Sequence, residues 1–366
     1  MIRRGISNVA NNSADKRITL ADVAKLAGVS KQTVSRVIND SEHVTEETRN
    51  KVMQCIETLG FRPSALARQL SSGRSYTLGV VSCGGFGYLV SGVAYIGMVR
   101  QADKMGYALL IKELTDFSPD TIRATLDYLI ERQVDGLIWA GPEIGDSNVW
   151  LNDFDLDSLP MPLLVVNARQ RGRAETVAFD NFEAGRMATR HLLSIGRKRI
   201  GHISGPMSRW VAQLRVTGWQ SALDEAGLPE CKDYFAEGDW EPGSGGPGLR
   251  RLLELCPKLD AVFVGSDRMA LGVLHEAHRL GLRVPEDLAV IGIDNAPESE
   301  FMIPPLSTMT QDTPAMAERA LRLLVRRICE RRGEPYPELC KDAEDPIMHH
   351  QLVLRESTLG KNRVEP

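Results

Sequence analysis

The sequence predicts an α/β chain: a small all-helical front end followed by a large body built on parallel sheets. Three observations carry that expectation. Residues 18–39 and 44–61 place apolar side chains at helical spacing between caps and stops, and from Tyr76 onward short apolar runs alternate with amphipathic stretches of helical length. The third is charge. Residues 1–74 hold twelve Lys/Arg against seven Asp/Glu, a net of +5, whereas the remainder holds 32 against 41, a net of −9. A basic front on an acidic body directs one end toward phosphate. At 366 residues, 43% hydrophobic and 25% charged, the chain suits two or three globular units.

Residues 18–39 read ITLADVAKLAGVSKQTVSRVIN and spell two short helices joined by a tight turn. Thr19 is placed to cap the first helix, with Asp22 three residues on as its reciprocal partner. Leu20, Val23, Ala24 and Ala27 then share one face, and Gly28 follows where positive φ is favoured. Ser30 caps the second helix, whose inner side is Val34, Val37 and Ile38, while Gln32 and Arg36 point the other way. A helix that is polar outward at its N-terminal end, braced by the helix before it, is the arrangement that enters a DNA major groove. Residues 44–61, VTEETRNKVMQCIETLGF, supply a third helix for this helix-turn-helix to pack on. Thr45 is at its cap, Glu46 and Glu47 suit the dipole of its first turn, Val52, Ile56 and Leu59 form a stripe, and Gly60 is the stop. Residues 62–70, RPSALARQL, then contain a segment at 64–70 too short to be a stable helix alone. Ala65, Leu66, Ala67 and Leu70 give it an apolar side that a twin from a second subunit, on DNA, would cover.

On these residues the chain resembles the LacI/GalR family of transcriptional regulators. Residues 18–75 are similar to the family headpiece almost position by position, and the resemblance covers nearly all of the chain after residue 17. It implies a sequence-specific repressor that binds double-stranded operator DNA, with Lys31, Gln32 and Arg36 as base readers. Arg36 can fork onto guanine O6/N7 and Gln32 can pair with adenine N6/N7. Lys31 stands where the lactose-responsive member has tyrosine, so a different half-site is expected. Thr19, Leu20, Ser30, Thr33, Ser35 and Asn39 match positions near the phosphate backbone or adjacent bases. Leu70 matches the side chain that wedges into the central minor-groove step, with Ala67 beside it.

The body reads as strands at 78–82 (LGVVS), 107–112 (YALLIK), 136–141 (GLIWAG), 161–167 (MPLLVVN), 199–205 (RIGHISG), 261–267 (AVFVGSD) and 288–294 (LAVIGID). Helices are expected at 90–105, 120–133, 181–195, after Arg215, and at 267–280. Strands separated by helices favour parallel sheets with right-handed crossovers. There are too many strands for one sheet, and the pattern restarts near Ala178. The resemblance implies two doubly wound lobes like those of periplasmic sugar-binding proteins, joined by three crossings of the chain. Lobe one is expected at about 76–168 plus 309–336, and lobe two at about 169–308 plus 340–358, including a tail strand at 352–357. Residues 1–17 are read as a disordered leader, 62–75 as hinge and linker, and 359–366 as a tail.

Ligands of such sheets sit outside the carboxyl ends of the strands. In the family pattern Arg215 (in QLRVTGW) grips ligand hydroxyls with its planar fork, Trp240 (EGDW) offers a face to a sugar ring, and Asp294 (VIGIDN) accepts from paired hydroxyls. Ser266 stands where the lactose-responsive member has asparagine. Asp180 and Asn181 (VAFDN) are read as another strand end of lobe two. Lobe one contributes Cys83, Phe86 and Tyr88, in a CGGFGYLVSG segment that replaces the family's Asn-Pro-Phe-type loop. The effector is therefore expected to be a small sugar-like molecule whose binding rearranges the lobes and melts the 64–70 segment. A co-repressor sense, as in the purine repressors of the family, uses the same parts. The end STLGKNRVEP has no leucine heptads, so a homodimer and a roughly palindromic operator are expected.

No cofactor and no metal are expected. The six cysteines show no CxxC or CxxH spacing, and His349 and His350 lack ligand-spaced partners. An enzyme would need a nucleophile elbow, a P-loop, HExxH or paired carboxylates, and VSCGGFG is too loose for a dinucleotide fingerprint. A secreted solute-binding protein is disfavoured by the headpiece and by an N-terminus without a signal-peptide core. With no membrane-spanning apolar run, the expected place is the bacterial cytoplasm, at the nucleoid.

Overall fold

Local capping sets the first three helices of the computed structural model, which describes residues 18–38, 44–61, 73–83, 91–141, 143–341 and 346–360. The chain divides into two units, Met1–Ser75 and Tyr76–Pro366. The first contains α1 (Leu20–Ala27), α2 (Lys31–Ile38) and α3 (Glu46–Leu59). Asp22 Oδ2 accepts from both the N–H and the hydroxyl of Thr19, at 2.9 and 2.7 Å. Ser30 Oγ accepts from the Thr33 N–H at 3.0 Å, and Thr45 Oγ1 from the Thr48 N–H at 3.4 Å. Gly28 and Gly60 close α1 and α3 at φ of +65° and +61°, which glycine adopts without a Cβ clash. Val23, Ala24, Ala27, Val34, Val37, Val52 and Phe61 form the core of the unit, with Leu20, Ile38, Ile56 and Leu59 half-buried at its rim. Residues 1–17, Asn39, the 64–70 segment with Ala67 and Leu70, and Phe86 and Tyr88 lie outside the described residues.

Two six-stranded sheets make the second unit. The first is formed by β1 (Thr77–Cys83), β2 (Ala108–Leu114), β3 (Gly136–Trp139), β4 (Leu163–Val166), β5 (Glu175–Phe179) and a late arrival, β11 (Ile347–Met348). Its order is β11-β5-β4-β3-β1-β2, parallel throughout. The second contains β6 (Ile200–Ser204), β7 (Phe235–Glu237), β8 (Ala261–Val264), β9 (Ala289–Asp294), β10 (Ser307–Thr310) and β12 (Leu352–Val353). Its order is β12-β10-β9-β8-β6-β7, with β12 alone antiparallel to its neighbour. Helices α4 (Ser91–Lys104), α5 (Pro119–Glu131) and α10 (Thr313–Arg332) serve the first lobe. Helices α6 (Asn181–Ser194), α7 (Trp210–Glu225), α8 (Pro242–Leu255) and α9 (Asp267–Arg279) serve the second, and a last turn, α11 (Glu356–Leu359), follows β12. The central strands β3, β4, β6 and β8 are buried along their whole length, as parallel strands covered on both faces must be. No helix among the described residues is long and apolar enough to cross a membrane.

The chain passes between the lobes three times: after β5, after β10, and between β11 and β12. The passages are stitched together. The Thr310 N–H donates to the Gln351 carbonyl at 2.7 Å, and the Asp180 N–H donates to the Met348 carbonyl at 3.0 Å.

Two expectations change, and one helix appears that the sequence did not announce. The first sheet does not end near residue 168, because β5 pairs with β4 and carries lobe one to Phe179. Residues 340–358 are shared, since β11 joins the first sheet and β12 the second, while Met309 and Thr310 belong to the second sheet. Sheet membership is decided by spatial neighbours, which the mixed burial of β5 did not announce. Next, α7 begins at Trp210, so Arg215 lies inside it; the preceding Arg209 gives no side-chain cap, and the start has no local signal. Finally, α8 is a helix although it contains Pro247 and four glycines. A Cβ on Gly245 would overlap the Met269 carbonyl of α9, and one on Gly272 would overlap the Pro242 carbonyl. Close approach of two helices overrides poor propensity here.

Candidate functional site

The recognition surface of the first unit follows from α2. With Val34 and Val37 turned into the core, Lys31, Gln32 and Arg36 are exposed together, and Thr33 and Ser35 are half-buried beside them. The Ser30 and Thr33 hydroxyls share a 2.9 Å hydrogen bond. Ser30 and Thr19 are both engaged as caps, and Leu20 packs on the core rim.

In the second unit the site is built around Arg215. Helices α6 and α7 touch backbone to backbone, because a Cβ on Gly185 would overlap the Arg215 carbonyl and one on Gly218 the Phe182 carbonyl. That contact brings Arg215 to the start of α6. Its guanidinium is buried, and Nε donates to Asn181 Oδ1 at 2.8 Å, Nη1 to the Gly265 carbonyl at 2.6 Å and Nη2 to Gln311 Oε1 at 2.8 Å. Asn181 follows the first passage between lobes, Gly265 follows β8, and Gln311 follows β10 at the second passage. Burial pulls the Arg215 pKa down, with Asp294 and Asp267 opposing. A guanidinium has five N–H donors, so two are left over by these three acceptors.

Asp294 ends β9 with φ of +133°, a conformation that stores strain for a non-glycine residue. Its carboxyl is pushed up to about 7 by loss of hydration; Arg215 opposes the shift and Asp267 adds to it. Asp267 is buried at the first turn of α9 and bonded on both oxygens, to Thr308 Oγ1 at 2.7 Å, Ser299 Oγ at 2.6 Å and the Ala296 N–H at 2.9 Å. Trp240 has φ of +73° and its ring lies against Gly205, where a Cβ would overlap it. The Arg215 guanidinium carbon is 5.5 Å from that ring's centroid. Ser266 caps α9 by accepting from the Met269 N–H at 3.1 Å, and its hydroxyl is 3.5 Å from the Trp240 carbonyl. Arg215, Trp240, Ser266 and Asp294 thus converge at the carboxyl end of the second sheet.

The other expected residues are elsewhere. Asp180 does not end a strand of lobe two: it directly follows β5 of the first sheet and caps α6 by accepting the Glu183 N–H at 2.9 Å. Cys83 ends β1, with its thiol pushed up by burial and by Glu113 while Arg209 opposes. Two residues escaped the sequence reading. Gln311 could have been found, since it directly follows a strand. His350 was weighed only as a metal ligand. Its Nδ1 bonds the Thr310 carbonyl and its ring centroid is 5.2 Å from that of Phe179, so it touches all three passages between lobes. Burial and Arg215 push it down to about 4, and its buried Nε2 has no hydrogen-bond partner among the described residues.

Comparison with known proteins agrees with both units. Residues 19–64 match the model of bacterial regulatory proteins, lacI family, and residues 189–358 that of a periplasmic binding protein-like domain. The HTH-type transcriptional repressor PurR of Mannheimia succiniciproducens is 36% identical over 348 residues, spanning 93% of this chain and 98% of that protein. PurR of Salmonella arizonae is 34% identical over 344 residues, 93% and 96% of the two chains. The Lac repressor dimer bound to operator and the anti-inducer ONPF superposes with a TM-score of 0.75 at 27% identity, covering 94% of this chain and 99% of that one. The transcriptional regulator CelR in complex with cellobiose gives 0.64 at 31% identity, covering 93% and 100%. With a helix-turn-helix unit and two parallel-sheet lobes matched along almost its whole length, the chain belongs to the LacI family of bacterial regulatory proteins and is a DNA-binding transcriptional repressor, not an enzyme.

Proposed function

We propose that this repressor is governed by a small planar co-repressor of the nucleobase or nucleoside class, held in the cleft between the lobes, in place of the sugar that the sequence suggests. The arrangement of Arg215, Asp294 and Trp240 carries this reading. A base presents ring N–H donors and carbonyl or ring-nitrogen acceptors in one plane. The two remaining Arg215 donors suit the acceptors, Asp294 suits the N–H edge in either protonation state, and the Trp240 face suits a stacked ring. Two relatives 36% and 34% identical over 93% of the chain are repressors named PurR, which supports the purine-repressor branch of the family. A second reading, a sugar effector, is favoured by the likeness to the CelR–cellobiose complex. In either case the effect on DNA equals the ligand's differential affinity for two lobe arrangements, typically about 1–3 kcal/mol.

The assembly we propose is a homodimer. Ile96 and Val99 on α4 and Ile111 on the edge strand β2 are exposed in lobe one, and Phe301 and Ile303 are 80% and 91% exposed in lobe two. Apolar clusters of this kind mark association surfaces. Lys31, Gln32 and Arg36 are assigned to base edges, and Thr19, Ser30, Thr33 and Ser35 to the backbone beside them.

Thermal unfolding of the full chain with guanine, hypoxanthine, adenosine or cellobiose tests the ligand class. A base at a hundred times its Kd stabilises by about 2.7 kcal/mol and tightens binding to DNA selected from a random pool; a response to cellobiose alone returns the effector to the sugars. Asp294 resists ionisation in the fold, so its contribution to stability falls as pH rises from about 4 to about 7. Asp294→Asn is therefore expected to gain melting temperature relative to the parent at pH 8 and to show little gain at pH 4; equal differences at both pH values contradict the assignment. Arg36→Ala is expected to lose about 1–3 kcal/mol of discrimination at one base pair of the selected site, read by competition binding, and an unchanged preference removes Arg36 from the readers. Phe301→Asp with Ile303→Asp is expected to sediment as a monomer with weakened DNA binding, whereas an intact dimer places the interface elsewhere.

A further inference from the structure

A strip of main chain joins the lobes away from their three connecting passages. Ile144 and Arg209 form an isolated antiparallel bridge. The Gly145 N–H donates to the Ser208 carbonyl at 2.8 Å, and the Trp210 N–H donates to the Glu143 carbonyl at 3.5 Å. Glu143–Gly145 belongs to the loop between β3 and β4 of lobe one. Ser208–Trp210 follows β6 of lobe two and opens α7, the helix that carries Arg215. The Cys83 thiol, at the end of β1, feels the Arg209 charge across the same edge.

The lobe-one half of this contact is held from behind by charge. Glu143 and Arg171 have side chains only 2% and 9% exposed. Arg171 donates from Nε and Nη2 to Glu143 Oε1 at 2.9 and 2.6 Å, and the Arg169 N–H donates to Oε2 at 2.6 Å. The far end of the loop is tied by the Trp139 Nε1–H to Asn148 Oδ1 at 3.0 Å, and the Ile144 N–H is turned onto Ser147 Oγ at 3.0 Å. Gly145 takes φ of +54°, a turn that glycine makes without strain. A buried ion pair is weak evidence for stability but can fix one geometry. Here the geometry it fixes is a loop whose peptide groups reach the opposite lobe.

We infer that Glu143 and Arg171 are positioning residues for cleft closure, holding the Glu143–Gly145 backbone so that it latches onto Ser208–Trp210. One main-chain hydrogen bond of ordinary length and a second, longer one at 3.5 Å bias an open–closed equilibrium by about tenfold, enough to keep this edge shut without a ligand and weak enough for a ligand to reset. The latch rests on the two-lobed geometry, not on the class of effector.

Hydrogen exchange of the full-length protein, without DNA or effector, tests it. In Glu143→Gln with Arg171→Met, which leaves no buried charge alone, amides of residues 208–211 in lobe two are expected to exchange about tenfold faster, together with Gly145. Amides of β3 and β6 should keep their protection. Trp210→Pro, which removes the lobe-two latch donor at the first position of α7, where proline fits a helix, and leaves the ion pair untouched, should speed exchange at Gly145 in the same way. If the double variant loosens only the lobe-one loop, the ion pair is structural and the positioning role fails. If Trp210→Pro also leaves Gly145 unchanged, there is no latch.

Discussion

One buried cation organises the sensing half of this repressor. An unpaired guanidinium in a protein interior costs several kcal/mol, and Arg215 avoids that cost through Asn181, the Gly265 carbonyl and Gln311. Those acceptors come from three distant parts of the sequence, two of them where the chain passes between lobes. Satisfying one side chain therefore requires the fold to be assembled around it. The glycine contacts of α6 with α7 matter for the same reason: Gly185 and Gly218 allow two backbones to touch, and the touch sets the depth of Arg215.

The unit that meets DNA is governed by simpler physics. Three caps and two left-handed glycines set where short helices begin and end, and a few valines and alanines decide which face of α2 is left for solvent. Its reading face is a by-product of what the other face must bury. In the sensor, by contrast, polar groups are placed by long-range pairing, and strain is stored at Trp240 and Asp294.

This division explains what could be read from the amino acids. Thr19 with Asp22, Ser30, Thr45, Gly28 and Gly60 are local signals, and the headpiece was legible down to its caps. Arg215, Trp240, Ser266 and Asp294 were legible through their motifs, and the structure brings them together. Residues whose role depends on distant partners were not. Strand β5 looked like part of the second lobe because nothing in ETVAF names its neighbour. Helix α8 was not announced because its glycines suit a helix partner absent from any local window. Asp180 was assigned to the wrong lobe for the same reason, and Glu143 and Arg171, 28 residues apart, gave no sign of meeting. The sugar expectation came from the resemblance at single residues, and regulators matched over more than nine-tenths of the chain include both PurR and the cellobiose-bound CelR.

His350 sits where all three connecting segments meet, and burial keeps its ring neutral until about pH 4. A solvated imidazole would gain charge near pH 6.5, and at this joint it would repel Arg215. By suppressing that ionisation the fold insulates its pivot from ordinary fluctuations in acidity. A change of pH about neutrality therefore alters the charge beside Arg215 through Asp294 and leaves the joint at His350 uncharged.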